Sequence, residues 1–293
     1  MKVTIEGMEF GYSDDSIVLN NIDLDISGPQ LVSIVGPNGV GKSTLIHCIN
    51  KILSPTKGVV MIDGKDVSQI SIKEMSKIAG YVPYTANNSF PLSVVDTVLM
   101  GRHPHSSWKT TDEDLDLVYD TLRMLDIEHL ALRSFNELSA GQHQRVMLAR
   151  GLVQEPKILL LDEPTANLDI RHQMNVTRIL RNLAHEKGIL VVIISHDLNI
   201  AATYSDNVIM MYKGYIYDVG TPEKVFTEEN LRMVYKVDSE ITVKNGRPRI
   251  VLLDDLFDEN EDTCPEDSYV TASHYIESKE PSSLIKNILD EDL

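Results

Sequence analysis

Short apolar runs recur along the chain at residues 31–35, 59–62, 158–161, 189–194 and 208–212, each rich in Val, Ile or Leu and separated by stretches with helical spacing. Runs this short and this continuous predict strands of a sheet buried on both faces, and hence an α/β core. Ahead of them, residues 3–10 and 18–26 alternate apolar and polar positions, which predicts half-buried strands of an antiparallel β region at the N-terminus. The texture changes between about 93 and 153, where no β-rich run occurs and residues 94–100, 112–125 and 141–153 carry helical periodicity. A helical insertion, spanning about 86–153, therefore interrupts the sheet, entered through the polar linker TANNSFP at 85–91. Further on, Asn245-Gly246 between apolar segments predicts a hairpin. No repeat at a fixed period is visible.

Charge adds a boundary. The chain carries 27 Lys+Arg against 44 Asp+Glu, a formal net charge of -17. Residues 250–293 hold 13 acidic residues and 2 lysines, so -11 of the charge lies there and the remainder, at -6, is only mildly acidic. This predicts one domain over 1–253 and a solvated acidic tail over 254–293, which gives way to a short apolar pattern at Leu284, Ile285, Ile288 and Leu289. It also argues against non-specific nucleic-acid binding, which needs Lys and Arg to displace counterions. Cys48 and Cys264 cannot form a disulfide framework and sit at no zinc-ligand spacing, so a reducing compartment is expected. Nothing approaches the run of about 18 apolar residues that a membrane span needs, and the first ten residues lack the apolar core of a signal peptide. Any membrane role must come through a partner.

The chemistry begins directly after run 31–35. Gly36-Pro37-Asn38-Gly39-Val40-Gly41-Lys42-Ser43-Thr44 is a complete G-x-x-x-x-G-K-[ST] segment, and it opens a helical pattern carried by Leu45, Ile46 and Ile49. Its glycines let successive backbone N–H groups point at phosphate oxygens, and the helix N-terminus adds partial positive charge. In such a loop Lys42 reaches the β- and γ-phosphates and the Ser43 hydroxyl ligates Mg²⁺. The run 158–161 then ends in Asp162 and Glu163. Asp162 suits Mg²⁺ through water, Glu163 suits polarising an attacking water, and Pro164 stiffens the turn that holds it. A second phosphate site is suggested by Ser139 and Gly141, which open the helix over 141–153 with a free hydroxyl at its N-terminus.

Leu138-Ser139-Ala140-Gly141-Gln142, continued by His143-Gln144-Arg145-Val146 and lying about twenty residues before Asp162-Glu163, resembles the signature motif of ATP-binding cassette (ABC) proteins. Asn167-Leu168-Asp169 resembles their D-loop, His196 their switch histidine, and Tyr12 in Phe10-Gly11-Tyr12 their adenine-stacking aromatic. The resemblance runs over residues 2–253 and implies a P-loop NTPase fold that binds ATP and Mg²⁺ and hydrolyses ATP. It further implies a head-to-tail homodimer in which Ser139, Gly141 and Gln142 of one copy close on the nucleotide held by the other. On that footing Asp169 ties the two sites together, while Lys42, Glu163 and His196 carry the catalysis.

One position departs from the family pattern: after Tyr81-Val82-Pro83 the family's metal-sensing glutamine is replaced by Tyr84. If the phenol abolishes hydrolysis, the cassette would act as a nucleotide-dependent assembly subunit instead. Ala140 for the usual glycine is a milder change. The segment from Phe90 through Gly101-Arg102-His103-Pro104-His105 resembles ATPases that drive uptake of iron chelates, haem and cobalamin. That branch implies integral membrane permease subunits as partners, an extracytoplasmic substrate-binding protein indirectly, and a peripheral place on the cytoplasmic side of the cell membrane. Iron chelate is the first expectation for the cargo and corrinoid the second. His103 and His105, with no third ligand, are expected to be surface and capping residues.

Overall fold

In the computed structural model, residues 1–13, 16–84, 92–105, 110–166, 168–255 and 274–276 are described. The expected linker 85–91, Asn167 and the apolar pattern at 284–289 lie outside the described residues.

The chain opens with β1 (Lys2–Ser13) and β2 (Ser16–Ser27), paired antiparallel from Lys2↔Ser27 to Ser13↔Ser16, with alternate side chains buried as the sequence alternation predicts. Next come β3 (Gln30–Val35), α1 (Lys42–Ile49), β4 (Lys57–Ile62), the two-residue β5 (Lys65–Asp66) and α2 (Ile72–Ile78). The run 59–62 was expected in the doubly buried sheet, but β4 instead pairs antiparallel with β1 through Val3↔Ile62 and Ile5↔Val60. Only Val60 and Ile62 are buried; Val59 and Met61 are apolar residues on the more open face, which is why the run looked continuous.

The helical insertion lies between β6 (Ala79–Val82) and β7 (Ile158–Leu161), and its helices α3 (Val94–Leu99), α4 (Asp112–Met124) and α5 (Ala140–Leu152) match the predicted segments. Capping fixes where they begin. Thr111 and Asp114 form a reciprocal capping box on α4, and Ser139 and Gln142 do the same on α5. Arg102, just after α3, donates to Asp114 (2.8 Å), to the Val153 carbonyl (3.0 Å) and to Glu155 (3.0 Å), joining the ends of all three helices. Gly101 is obligatory here, since a Cβ would stand 2.3 Å from the Arg150 carbonyl oxygen.

The remaining elements are α6 (Ile170–Lys187), β8 (Leu190–Ile194), α7 (Leu198–Tyr204), β9 (Asn207–Tyr212), β10 (Tyr215–Gly220), α8 (Pro222–Val225), α9 (Glu228–Tyr235), β11 (Val237–Lys244), β12 (Arg247–Asp255) and β13 (His274–Ile276). The central sheet runs β10-β9-β3-β8-β7-β6, parallel throughout except for β10. Its strands divide their side chains between two cores. Val32, Ile34, Ile158, Leu160, Val192 and Ile194 face the antiparallel sheet and α1. Leu31, Leu159, Leu161, Val191 and Ile193 face α6 and the helical insertion. The predicted Asn245-Gly246 turn joins β11 to β12, with both residues at positive φ (54° and 70°), the conformation a tight two-residue hairpin requires. Within the acidic stretch, β13 adds a short parallel strand to the β2 edge at Leu24–Ile26. No described helix is long and apolar enough to cross a membrane.

Candidate active site

The predicted phosphate loop leaves β3 at the carboxyl edge of the central sheet and ends in α1. At Gly36 a Cβ would lie 2.3 Å from the Met211 carbonyl oxygen, and at Gly41, with φ 100°, it would meet Leu19 at 2.6 Å. Both positions exclude any side chain, so the tight path of the loop depends on them. Lys42 is buried and curls back, donating to the carbonyls of Gly36 and Pro37 at 2.7 Å each. Burial pulls its ammonium below the usual lysine range, against the opposing pull of Glu163 and Asp162. Three residues of the sequence prediction thus converge on one spot, 120 residues apart in the chain.

Asp162 follows β7, and its N–H donates to the Val82 carbonyl (2.9 Å), so the sheet ladder fixes its backbone. Its carboxylate accepts from the Ser43 hydroxyl at 3.2 Å. Burial pushes the Asp162 carboxyl up, with the Ser43 hydrogen bond acting against it. Hard oxygens from Ser43 and Asp162 side by side are the donor set a Mg²⁺ ion takes, so the residues fit that metal. Glu163 sits at φ 49°, a left-handed backbone conformation costing about 1–3 kcal/mol in a non-glycine residue. That turn aims its carboxylate at His196 beyond β8, whose Nε2 lies 2.5 Å from Glu163 Oε1. The two were separate motifs in the sequence; the parallel neighbours β7 and β8 bring them together.

Tyr12 stands beside the loop with 66% of its surface exposed, its ring edge-on to Phe10 at 5.0 Å and its hydroxyl 3.3 Å from Thr44 Oγ1. Asn38, Gly39 and Val40 lie in the same loop, and Gly39 also has positive φ. The signature residues stand apart. Ser139 and Gln142 bond one another across the start of α5, and neither forms a hydrogen bond with the phosphate loop or Glu163 among the described residues. Asp169 caps α6, accepting from the His172 N–H at 2.9 Å and from His172 Nδ1 at 2.8 Å. Tyr84 is half-exposed just beyond β6.

Sequence reasoning missed two features here. Behind Asp162, His47 of α1 and the Tyr81 hydroxyl of β6 lie 2.9 Å apart, and burial, then the Asp162 charge, pushes the Tyr81 phenol up to about 12. His47 stands four residues after Ser43, on the same face of α1, which is the signal that could have found it. In front, Glu163 and His196 open onto a cavity of ~540 Å³ walled by Leu198, Tyr235, Ile250 and Leu252. No local pattern marks that cavity, because these walls come from three elements, α7, α9 and β12. His105 contacts the Gln154 carbonyl through Nε2 at 2.9 Å, a capping role as expected, and no cluster of three metal-ligating side chains occurs among the described residues.

A buried lysine inside a glycine loop, a hydroxyl–carboxylate pair beside it and a glutamate held by a histidine define a P-loop ATPase cassette. A family profile described as ABC transporter matches residues 19–166, and the chain belongs to that family as an ATP-hydrolysing, import-type cassette. An uncharacterized ABC transporter ATP-binding protein of Methanocaldococcus jannaschii is 44% identical over 251 residues, covering 86% of this chain and 98% of its own. The hemin import ATP-binding protein HmuV of Escherichia coli O157:H7 is 40% identical over 243 residues, covering 80% and 93%. Among solved structures, an inward-facing protein described as of metal-chelate type matches with a TM-score of 0.74 at 27% identity, over 86% of this chain and 96% of that one. A cassette solved as a dimer in a post-hydrolysis state with ADP and Pi matches at a TM-score of 0.67 and 29% identity, over 75% and 98%.

Proposed function

We propose that this chain is the peripheral ATPase subunit of an uptake transporter for a metal chelate, an iron siderophore first and haem or cobalamin next. It works as a homodimer on the cytoplasmic face of two integral membrane permease subunits, fed by an extracytoplasmic substrate-binding protein. Residues 1–253 form the ATPase domain and 254–293 an acidic extension. The observation that carries the reading is the Glu163–His196 contact at 2.5 Å beside the loop that buries Lys42. The hemin import relative and the metal-chelate type structure support the cargo class.

ATP enters with its adenine against the exposed face of Tyr12 and its phosphates along the N–H groups of residues 36–44. Lys42 exchanges its two loop carbonyls for the β- and γ-phosphate oxygens, and the charge-assisted contact favours the bound state. Ser43 and Asp162 would hold Mg²⁺, which supplies charge neutralisation at the phosphates. Glu163 takes the proton of a water as its oxygen bonds to the γ-phosphorus; the bond to the β–γ bridging oxygen breaks, and ADP leaves with that electron pair. His196 holds the Glu163 carboxylate in line. Ser139 and Gly141, idle toward their own loop, close on the partner's γ-phosphate, with Gln142 fixing the cap and Asp169 lining the seam.

Glu163→Gln tests this reading. The amide keeps size and loses the base, so turnover should fall by about 10²- to 10⁴-fold while ATP binding persists and traps a dimer. Size-exclusion chromatography with ATP and Mg²⁺ that showed only monomer would overturn the closed-pair mechanism.

A further inference from the structure

Gly141 and Asp169 belong to segments 28 residues apart, and one side chain joins them. A Cβ built on Gly141 would stand 3.1 Å from His172 Cδ2 and 3.6 Å from its Cγ and Nε2, so the imidazole lies against the bare Cα of the signature segment. The same ring is oriented from the other side, where Nδ1 lies 2.8 Å from Asp169 Oδ2 while the His172 backbone N–H donates to Oδ1 at 2.9 Å. Both oxygens of Asp169 are thus engaged by one residue.

The connection continues to the catalytic glutamate. Ala166 N–H donates to the Glu163 carbonyl (3.1 Å), Gln173 Nε2 donates to the Thr165 carbonyl (3.2 Å), and Gln173 N–H donates to the Asp169 carbonyl (2.9 Å). A chain of short contacts therefore runs from Glu163, through the turn and the cap of α6, to His172 and then Gly141. Capping α6 needs only the backbone N–H of His172. The ring does something further, and burial does not account for its place, since the side chain is 44% exposed.

We propose that His172 is a positioning residue that locks the signature segment of each chain to its own Asp169 and, through it, to its own Glu163. The inference rests on the homodimer reading: Glu163 serves the nucleotide of its own chain, whereas Ser139 and Gly141 serve the partner's. His172 then couples the two nucleotide sites, because a shift of the signature segment as it meets the partner's ATP is passed to the glutamate behind it. Coupling free energies between sites typically correspond to about 5- to 150-fold effects.

The test uses the full-length chain with His172→Ala and with His172→Asn, whose amide restores a planar donor toward Asp169. Expected for His172→Ala are a kcat about tenfold lower, a Hill coefficient for ATP reduced to about 1 from a parental value above 1, and unchanged monomer affinity for ATP. The melting temperature should stay within about 2 °C, as for other exposed positions. His172→Asn should recover at least half of the lost kcat. In the Glu163→Gln background, His172→Ala should raise the ATP concentration at which half the chain is dimeric. Parental kcat and Hill coefficient in His172→Ala would overturn the inference, as would a loss that tracks a falling melting temperature. Failure of Glu163→Gln alone to dimerise would instead bring down the homodimer reading on which it stands.

Discussion

Arg102 offers the most direct test of how the helical insertion is held. Its guanidinium and the Asp114 carboxylate are 13% and 8% exposed, and they meet at 2.8 Å where the end of α3, the start of α4 and the end of α5 converge. Replacing Arg102 with Met keeps the stem and removes the charge, leaving Asp114 with only Thr111 as a side-chain partner among the described residues. Removing one partner of a buried pair costs about 3–5 kcal/mol. The Arg102–Glu155 contact adds little, because Glu155 is mostly exposed, and the surviving capping box favours the lower end, near 3 kcal/mol. For an ordered domain of this size each kcal/mol moves the melting temperature by about 2–4 °C, so a fall of about 6–12 °C is expected by calorimetry. The pH dependence carries a sign. The Arg102 hydrogen bond holds the Asp114 carboxyl below the usual carboxylate range, so its contribution is present above the unfolded value and is lost as pH falls through the lower folded one. Parent and variant should therefore converge in acid, below about pH 4. A loss under 2 °C at neutral pH, or a gap that widens in acid, would refute the reasoning.

Other outcomes follow from the site. Lys42→Ala should weaken ATP binding by about 10- to 150-fold, the worth of a charge-assisted hydrogen bond, and equal affinity by calorimetry would remove that lysine from the phosphate site. Tyr84→Gln should raise the ATPase rate with little change in ATP affinity, since the proposed phosphate contacts lie in residues 36–44; a lower rate would mean that the phenol itself carries the coupling. Ending the chain at Leu253 should leave ATPase activity within about twofold, because every nucleotide motif lies upstream, while hydrogen exchange at Leu24–Ile26 should quicken as β13 is lost.

What could be read from the sequence was what is local. The loop 36–44 is a contiguous spacing whose backbone demands are met by its own glycines, and the cap at Ser139 lies within three residues of the group it satisfies. Strands β6 and β10 carry no such signal, because Gly80, Tyr81, Tyr215 and Asp218 interrupt the apolar runs that would announce them. Run 59–62 misled for the opposite reason, placing apolar side chains on the open face of β4 as well as the packed one. Site geometry was legible only in pieces. Glu163 and His196 could be named, but their contact depends on β7 and β8 being neighbours, and His172 carries no pattern at all: only the approach of α5 to α6 gives it a role.

The strands β3, β7 and β8 act as a partition wall whose two sides are papered independently. On one side Ile34, Leu160 and Val192 enclose the nucleotide half; on the other Leu159, Leu161 and Val191 support the helical insertion. Neighbouring residues in one strand therefore answer to different packing partners. An insertion that must suit a changing membrane partner can drift in every second position while the ATP-handling side keeps its packing, provided the shared backbone does not move. The same wall lets rigid displacement of a strand pass between the halves when side-chain repacking cannot.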